Sequence, residues 1–357
     1  MGFLFMKNNF KIISVIIGTL IGAGFASGQE IYIFFYAYGV KGILGILISS
    51  ALMGIIIYKT LILVKEKQIS TYKEFLNIFT KKDYIKSIIS IIINMFILIT
   101  FFIMIAGFGA YFEQRIGFNR LIGSTIIAVL CITIFKTNQK GVVKVSEILA
   151  PIVILFIILI FALNIKEFNI NNINHYLINN NRYNYILSSI LYCSYNSILL
   201  IPVLITLNNL IYSKKQLITV SMITTIIVII LSLCIFFILV RVDVNISKLE
   251  MPAEYVVSKV SKVLEITYGF IILSSIFTTA VSLGNTFLKN ISSNKKSYTH
   301  FATIMCITSI IISNIGFSNL INKLYPIFGY LGSIQIFIVL FREKIKLFKN
   351  NKKFFIE

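Results

Sequence analysis

The feature that most constrains this chain is a succession of apolar runs, each of about 20 residues, that occupies most of its 357 residues. A helix of about 20 apolar residues matches the hydrocarbon thickness of a bilayer. These runs predict an all-α membrane protein with a single transmembrane domain over 1–357 and about ten transmembrane helices. The ten runs are 10–36, 42–64, 85–112, 119–135, 142–163, 185–207, 217–240, 263–288, 301–316 and 324–341.

The distribution of positive charge predicts the orientation of these helices. Lys and Arg residues near helix ends are retained on the cytoplasmic side of a membrane. If the N-terminus lies inside, more than two thirds of the 33 Lys and Arg residues fall in inner segments, including a C-terminal tail at 342–357. We therefore expect a multi-pass membrane protein with both termini cytoplasmic. The high content of Ile, Asn and Lys is typical of an AT-rich bacterium, so the expected location is the bacterial inner membrane. The long segments 164–184 and 241–262 would be external caps.

Several function classes are disfavoured by the same pattern. The net charge of +20 does not indicate a nucleic-acid partner, because the basic residues form short clusters between apolar runs. The four cysteines stand singly inside apolar runs, without disulfide or zinc spacing. We find no nucleophile, metal or acid-pair constellation for an enzyme, and loops this short hold no output domain for a sensor. The expected partners are the lipid bilayer and a small molecule, and the oligomeric state is left open.

The first apolar run carries four glycines near its middle, Gly18, Gly22, Gly24 and Gly28. Each glycine inside a helix costs about 1 kcal/mol relative to alanine, so this run is expected to unwind. Unwound backbone is tolerated at membrane depth only where protein, water or a ligand satisfies its polar groups. Close helix packing is the alternative explanation, since small residues at four-residue spacing also permit tight crossings.

Gln29 and Glu30 follow this glycine-rich stretch directly. A carboxylate within a membrane span is costly and usually marks function. Glu30 would pair with a cationic group of a substrate, carry a coupling proton, or form a salt bridge with an arginine of the vestibule. We take both residues as coupling or gating candidates. Glu113, by contrast, is expected to form an interfacial ion pair with Arg115.

The sixth run contains a second polar interruption, Ser194-Tyr195-Asn196-Ser197, followed by Pro202. This interruption lies five helices after the first, the spacing that an inverted repeat of five plus five helices requires. The two halves would be 10–163 and 185–341, with helices one and six broken. No residue-level similarity between the halves supports the repeat.

The segment IGAGFASGQE on the first helix resembles the YkvI-like bacterial membrane proteins, and the resemblance covers roughly the whole chain. More distantly, GTLIGAGF is similar to the interrupted first helix of the amino acid-polyamine-organocation superfamily and the neurotransmitter:sodium symporters of the LeuT type. The segment GVVKVSEILAP at 141–151 is similar to the start of their fifth helix. The resemblance implies a LeuT-like fold and secondary transport by alternating access.

The resemblance also implies two sets of site residues. A sodium ion would lie between the first and eighth helices, at Gly18, Ile21, Ser275, Thr278 and Thr279. A substrate would lie between the broken first helix and the sixth, at Gly22, Ala23, Gly24, Tyr192, Ser194, Tyr195 and Asn196. The N–H groups of Ala23 and Gly24 would face its carboxylate.

We therefore expect sodium-coupled symport of a small organic solute, an amino acid or a related compound, without a cofactor other than the ion. Proton coupling through Glu30 and a channel remain alternatives. The chain departs from the sodium symporters in having ten predicted helices instead of the commoner twelve, and in lacking tryptophan. Their gating residues therefore cannot be transferred to it.

Overall fold

The computed structural model describes residues 2–78, 80–164, 184–241, 249, 251–292, 294–315, 317, 321, 324–333, 335–337 and 339–340. The predicted tail at 342–357, most of the predicted cap at 164–184 and part of the one at 241–262 lie outside these residues.

The described residues form thirteen α-helices, numbered α1 to α13 below, with short 3₁₀ and π-helical turns between some of them. Several begin after a Ser, Thr or Asn whose side-chain oxygen accepts a hydrogen bond from a backbone N–H two or three residues later, as Asn184 accepts from Ile186 at the start of α9. A further helix covers the described residues of Leu324–Phe337. The helices are α1 Gly2–Leu20, α2 Ala23–Ala26, α3 Gln29–Phe34, α4 Lys41–Glu66, α5 Tyr72–Asn77, α6 Asp83–Tyr111, α7 Arg120–Phe135, α8 Asn138–Asn164, α9 Tyr185–Thr206, α10 Lys214–Leu239, α11 Pro252–Val260, α12 Lys262–Ile291 and α13 Lys295–Ile312.

Six of these helices are long and apolar enough to cross a membrane by themselves: α4, α6 with its π-helical extension, α8, α9, α10 and α12. Two apolar helices, α7 and the Leu324–Phe337 helix, are shorter than a full span. The count of ten spans and the repeat of five plus five helices therefore stay predictions. The six long helices make the chain a multi-pass membrane protein.

The break predicted in the first helix is present. Helix α1 ends at Leu20, and α2 begins only after Ile21 and Gly22. A second interruption follows at Ser27 and Gly28, where Gly28 adopts a left-handed conformation with φ of 84°. Such a conformation is strained for any residue with a Cβ. The helix of 19 residues, α1, and two short helices, α2 and α3, therefore replace one continuous helix.

The break predicted in the sixth helix is absent, and that prediction is wrong. Helix α9 is continuous from Tyr185 to Thr206. Its polar residues bond to their own helix: the Asn196 amide donates to the Tyr192 carbonyl at 3.0 Å, and the Ser197 hydroxyl donates to the Cys193 carbonyl at 2.7 Å. Side chains that satisfy local carbonyls leave the helical ladder intact, and the helix continues through Pro202.

Helix α1 lies near the centre of the bundle, in contact with α8, α9, α10 and α12. Helix α9 is equally central, since 94% of the residues in its most apolar part are buried, against 28% in α8. Large apolar side chains such as Leu155 of α8 and Met222 of α10 point outward and are more than half exposed. An apolar exterior is expected where lipid is the solvent. The broken helix is therefore enclosed by protein on its long sides.

Candidate functional site

The break in the first helix leaves backbone groups without helical partners. No described hydrogen bond joins the N–H of Gly22 or Phe25 to the carbonyl four residues earlier, although Ile21 still bonds to Ile17. The carbonyls of Gly18 and Ile21 are therefore available to other groups. In the membrane interior such groups need partners from the surrounding protein or from a ligand.

Helix α12 supplies polar side chains beside these carbonyls. The Thr279 hydroxyl donates to the Gly18 carbonyl at 2.8 Å, and the Thr278 hydroxyl donates to the Ser275 carbonyl of its own helix at 3.0 Å. All three α12 residues are buried. A Cβ on Gly18 would lie 3.2 Å from the Thr278 Cβ, so the two helices are in direct contact here. Four of the five residues predicted for a cation are thus together.

The fifth predicted residue, Ile21, lies in the break itself and is buried. No described hydrogen bond uses its carbonyl. The neighbouring Gly22 faces α12, because a Cβ there would lie 3.2 Å from the Thr279 hydroxyl. The break thus lies directly against the α12 hydroxyls.

Ser146 of α8 is a sixth oxygen at this place that the sequence prediction missed. Its hydroxyl is buried and has no hydrogen-bond partner among the described residues. It lies 3.3 Å from where a Cβ on Gly18 would be. Three helices, α1, α8 and α12, therefore contribute hydroxyl or carbonyl oxygens to one small region. Hard cations prefer such oxygen ligands.

The second predicted set centres on Glu30, at the start of α3. Glu30 is 3% exposed, and its carboxylate accepts a hydrogen bond from the Tyr195 hydroxyl of α9. No described ion pair includes Glu30, so the expected salt bridge to an arginine of the vestibule is not found in the described part of the chain. The carboxylate therefore lies in the protein interior with a hydroxyl as its polar contact.

Aromatic rings surround this carboxylate, and we call Phe34, Tyr192, Tyr195 and Tyr325 the aromatic cluster. The Tyr195 ring stacks on Phe34 at 5.7 Å and on Tyr325 at 4.6 Å between centroids, with Tyr192 edge-on at 5.6 Å. Tyr192 and Tyr195 were predicted from the sequence. Phe34 and Tyr325 were missed, because neither stands in a polar interruption or a recognisable motif.

The other predicted substrate residues differ in their availability. The Ser194 hydroxyl is buried and, among the described residues, has no partner. The Asn196 amide is engaged with the Tyr192 carbonyl of its own helix. Gly24 lies against the Glu30 side chain, and a Cβ there would overlap the carboxylate. Ala23 is buried at the start of α2.

The segment around α11 covers one end of the broken helix. The Ala253 N–H donates to the Ser27 carbonyl at 2.9 Å, and the Gln29 amide donates to the Leu249 carbonyl. Within the bundle, the Tyr268 hydroxyl of α12 donates to the Ala26 carbonyl at 2.7 Å. Gln29, predicted as a gating candidate, thus holds the covering segment in place.

An ion pair between Arg115 and Glu254 closes the same end. The expected pair of Arg115 with Glu113 is therefore wrong. Glu113 instead accepts from Arg120, whose Nε lies 2.8 Å from its carboxylate, because the chain turns at the end of α6 and brings the start of α7 back. Burial raises the pKa of the Glu254 carboxyl, which lies outside the spanning helices, and Arg115 partly offsets this shift.

Comparison with known proteins identifies the family. The chain is 30% identical to the membrane protein YkvI of Bacillus subtilis strain 168 over 321 residues, which are 89% of this chain and 91% of YkvI. The chain belongs to the YkvI family. A second protein of the same organism, YyaD, is 25% identical over 91% of this chain and 94% of its own length. No family model matches the chain.

Solved structures place this YkvI-family chain in the LeuT fold. A structure of MhsT in complex with L-phenylalanine has a TM-score of 0.68 at 15% identity and covers 92% of this chain and 88% of MhsT. A Na⁺-coupled sialic acid symporter has a TM-score of 0.64 at 14% identity, and the match covers 92% of this chain and 76% of the symporter. A manganese transporter of Eremococcus coleocola has a TM-score of 0.53 at 12% identity, and the match covers 94% of this chain and 77% of that transporter. At these identities the likeness concerns the fold.

Proposed function

We propose that this protein is a secondary active transporter that imports a small organic solute, an amino acid or a related amine-bearing compound, by sodium symport. The observation that carries the proposal is the meeting of the broken first helix with the hydroxyls of α12, at Gly18 and Thr279. A central helix that gives up its hydrogen bonds beside hydroxyl groups suits ion binding better than packing. The solved structures with this fold include Na⁺-coupled symporters, which adds support.

Sodium would bind between the carbonyls of Gly18, Ile21 and Ser275 and the hydroxyls of Thr278 and Thr279. Ser146 would offer a further hydroxyl. Both threonine hydroxyls now donate to carbonyls, and rotation of the hydroxyl hydrogen about the Cβ–Oγ1 bond would turn an oxygen lone pair to the ion instead. The ion would thus hold α1, α8 and α12 together. Its release would allow these helices to move apart, as alternating access requires.

The proposal is tested by uptake into proteoliposomes. Radiolabelled amino acids and amines are supplied with an inward sodium gradient or with potassium on both sides. We expect accumulation of at least one solute to require sodium. In Thr279→Val, sodium should no longer drive accumulation of that solute. Thr267→Val is the matched control, because Thr267 stands on the same helix and its hydroxyl, among the described residues, donates to the Val263 carbonyl of its own helix. Uptake that is equal with and without sodium would remove the coupling proposal.

Proton coupling is the second candidate, and the burial of Glu30 favours it. A carboxyl that is enclosed by protein and bonded to Tyr195 could exchange a proton as access alternates. In that case Glu30→Gln would abolish accumulation driven by a pH gradient and preserve counterflow exchange of the solute. Loss of both activities in Glu30→Gln would argue that the carboxylate contacts the solute.

A further inference from the structure

The charge of Glu30 has no compensating cation in the described part of the chain. None of the described ion pairs includes it, and the Tyr195 hydroxyl is the donor it accepts from. The residue is 3% exposed. Removing an ionised carboxylate from water without a paired cation is strongly unfavourable. A buried acid of this kind is neutralised either by a proton or by a mobile cation, and an ionisable residue within a membrane span usually marks a functional site.

The carboxylate lies on the break of the first helix. A Cβ on Gly24 would lie 2.9 Å from the Glu30 Cγ and 3.0 Å from its Cδ, and would overlap one carboxylate oxygen. Only glycine at position 24 admits the side chain in this pose. Gly24 belongs to the segment at which the sequence resemblance expects the carboxylate of an amino-acid substrate. That place therefore already holds a carboxylate, and it belongs to the protein.

The surroundings of the carboxylate suit an organic cation. The Tyr195 hydroxyl donates to the carboxylate, and the rings of Tyr192 and Tyr325 pack against the Tyr195 ring. The rings of Phe34, Tyr195 and Tyr325 form a stack that meets the carboxylate at the Tyr195 hydroxyl. Ammonium groups are attracted both to carboxylates and to the faces of aromatic rings, and this combination recognises amines in many proteins.

We propose that the transported solute is an organic amine that lacks a free carboxylate, and that Glu30 supplies the negative charge that binds its ammonium group. The proposal rests on the proposed transporter function and names its substrate class. Two carboxylates in one buried site repel each other strongly, because little solvent screens them. An amino acid would bring a second carboxylate to a place that Glu30 occupies. The corresponding decarboxylated amine would not.

The test compares amines with the amino acids that carry the same side chain. The pairs are tyramine with tyrosine, agmatine with arginine, and cadaverine with lysine. Binding to the purified protein is measured in sodium chloride as a rise in melting temperature, reported by a thiol-reactive dye. The described cysteines, Cys131, Cys193, Cys234 and Cys306, are free and buried, so that unfolding exposes them to the dye.

We expect at least one amine to stabilise the protein and to be accumulated in proteoliposomes, with its amino acid at least about tenfold weaker in half-saturating concentration. Glu30→Gln should raise the half-saturating concentration of that amine by at least about tenfold. Tyr195→Phe keeps the ring and removes the hydroxyl, so it should bind the amine with a smaller loss. Glu113→Gln removes an acid that is paired with Arg120 at the surface and should bind as the wild type does.

Three results would overturn the inference. They are binding of the amino acid as tight as that of its amine, unchanged amine binding in Glu30→Gln, and the absence of stabilisation by every amine. Should Glu30→Gln fail to fold, the comparison of amine with amino acid in the wild type and in Tyr195→Phe decides. Sodium-driven accumulation of an amino acid would refute the inference and leave the transporter function standing. Uptake of every solute independent of any ion gradient would refute the coupling itself.

Discussion

Helices one and six occupy corresponding places in the predicted repeat, and the structure treats them differently. Helix one is divided into α1, α2 and α3, whereas α9 runs unbroken through a polar tetrapeptide and a proline. The first sequence is rich in glycine, which carries no side chain to cap the freed backbone. The second is rich in Ser and Asn, whose side chains bond to the turn before them. Glycine content, and not polarity, decides where the backbone opens.

In the proposed transporter, the difference gives the two helices different tasks. Helix one contributes backbone oxygens at Gly18 and Ile21 and positions the Glu30 carboxylate beside Gly24. Helix six contributes side chains, above all the rings of Tyr192 and Tyr195. A site built from freed backbone on one side and rigid aromatic rings on the other needs only one broken helix.

The largest effect is expected for Gly24→Ala. The added methyl group would overlap the Glu30 carboxylate, which must then leave its place beside the break. Because the end of a flexible side chain can move, the free energy of unfolding should fall by only about 1 kcal/mol. Transport should fall at least tenfold. Uptake and melting temperature measured on the same preparation separate the two effects, and wild-type uptake in this variant would contradict the assigned role of Gly24.

A smaller effect on transport, but a larger one on stability, is expected for Gly28→Ala, at the second interruption. A residue with a Cβ in the left-handed conformation costs about 1–2 kcal/mol, and this Cβ would also lie 3.1 Å from Ala253 and Leu239 atoms. Gly117→Ala is the matched control, since Gly117 has φ of 78° and no atom within 4 Å of its Cβ position. The melting temperature should fall further for Gly28→Ala. Equal falls in melting temperature for the two variants would mean that the contacts with Ala253 and Leu239 add nothing.

A modest pH dependence is expected at the covered end. The pKa of Glu254 is raised in the covered form, so this form takes up a proton more readily than an open form in which Glu254 is solvated. The form in which α11 covers the end of the broken helix should therefore be favoured as pH falls and disfavoured as pH rises through the raised pKa of Glu254. The rate at which a thiol reagent labels the cysteine of Val256→Cys, in α11, reports how often α11 leaves the broken helix uncovered. The same rate is measured in the double variant Val256→Cys with Glu254→Gln. Dividing the first rate by the second removes the pH dependence of the thiol itself. A ratio that is constant with pH would contradict the assignment.

The smallest effect is expected in the unbroken helix. Ser197→Ala removes a hydroxyl that bonds to the Cys193 carbonyl of α9. The helix keeps its own hydrogen bonds without it, so the loss of stability should not exceed about 1 kcal/mol. Uptake should stay within about twofold of the wild type. A defect as large as that of Gly24→Ala would mean that helix six also depends on local backbone opening.

The sequence predicted the all-helical membrane architecture and the break in helix one, because hydropathy and glycine content are local properties. The approach of Thr278 and Thr279 to Gly18 was predicted only through the resemblance to the sodium symporters. It wrongly predicted a break in helix six, because a polar run does not reveal whether its side chains bond to their own helix. Ser146, Tyr325 and the pair of Arg115 with Glu254 escaped prediction for another reason. Each depends on contacts between residues more than 100 positions apart along the chain, and one sequence carries no signal for such contacts.

The central claim, a cation site between the broken helix and α12, is tested most directly without knowledge of the solute. The melting temperature of the purified protein is measured with the thiol-reactive dye in sodium chloride and in potassium chloride at equal ionic strength. A ligand that binds the folded state at 100 times its Kd adds about 2.7 kcal/mol of stability. We expect a sodium-specific rise that persists in Thr267→Val and disappears in Thr279→Val. Equal melting temperatures in the two salts, or a sodium effect that survives Thr279→Val, would contradict the account.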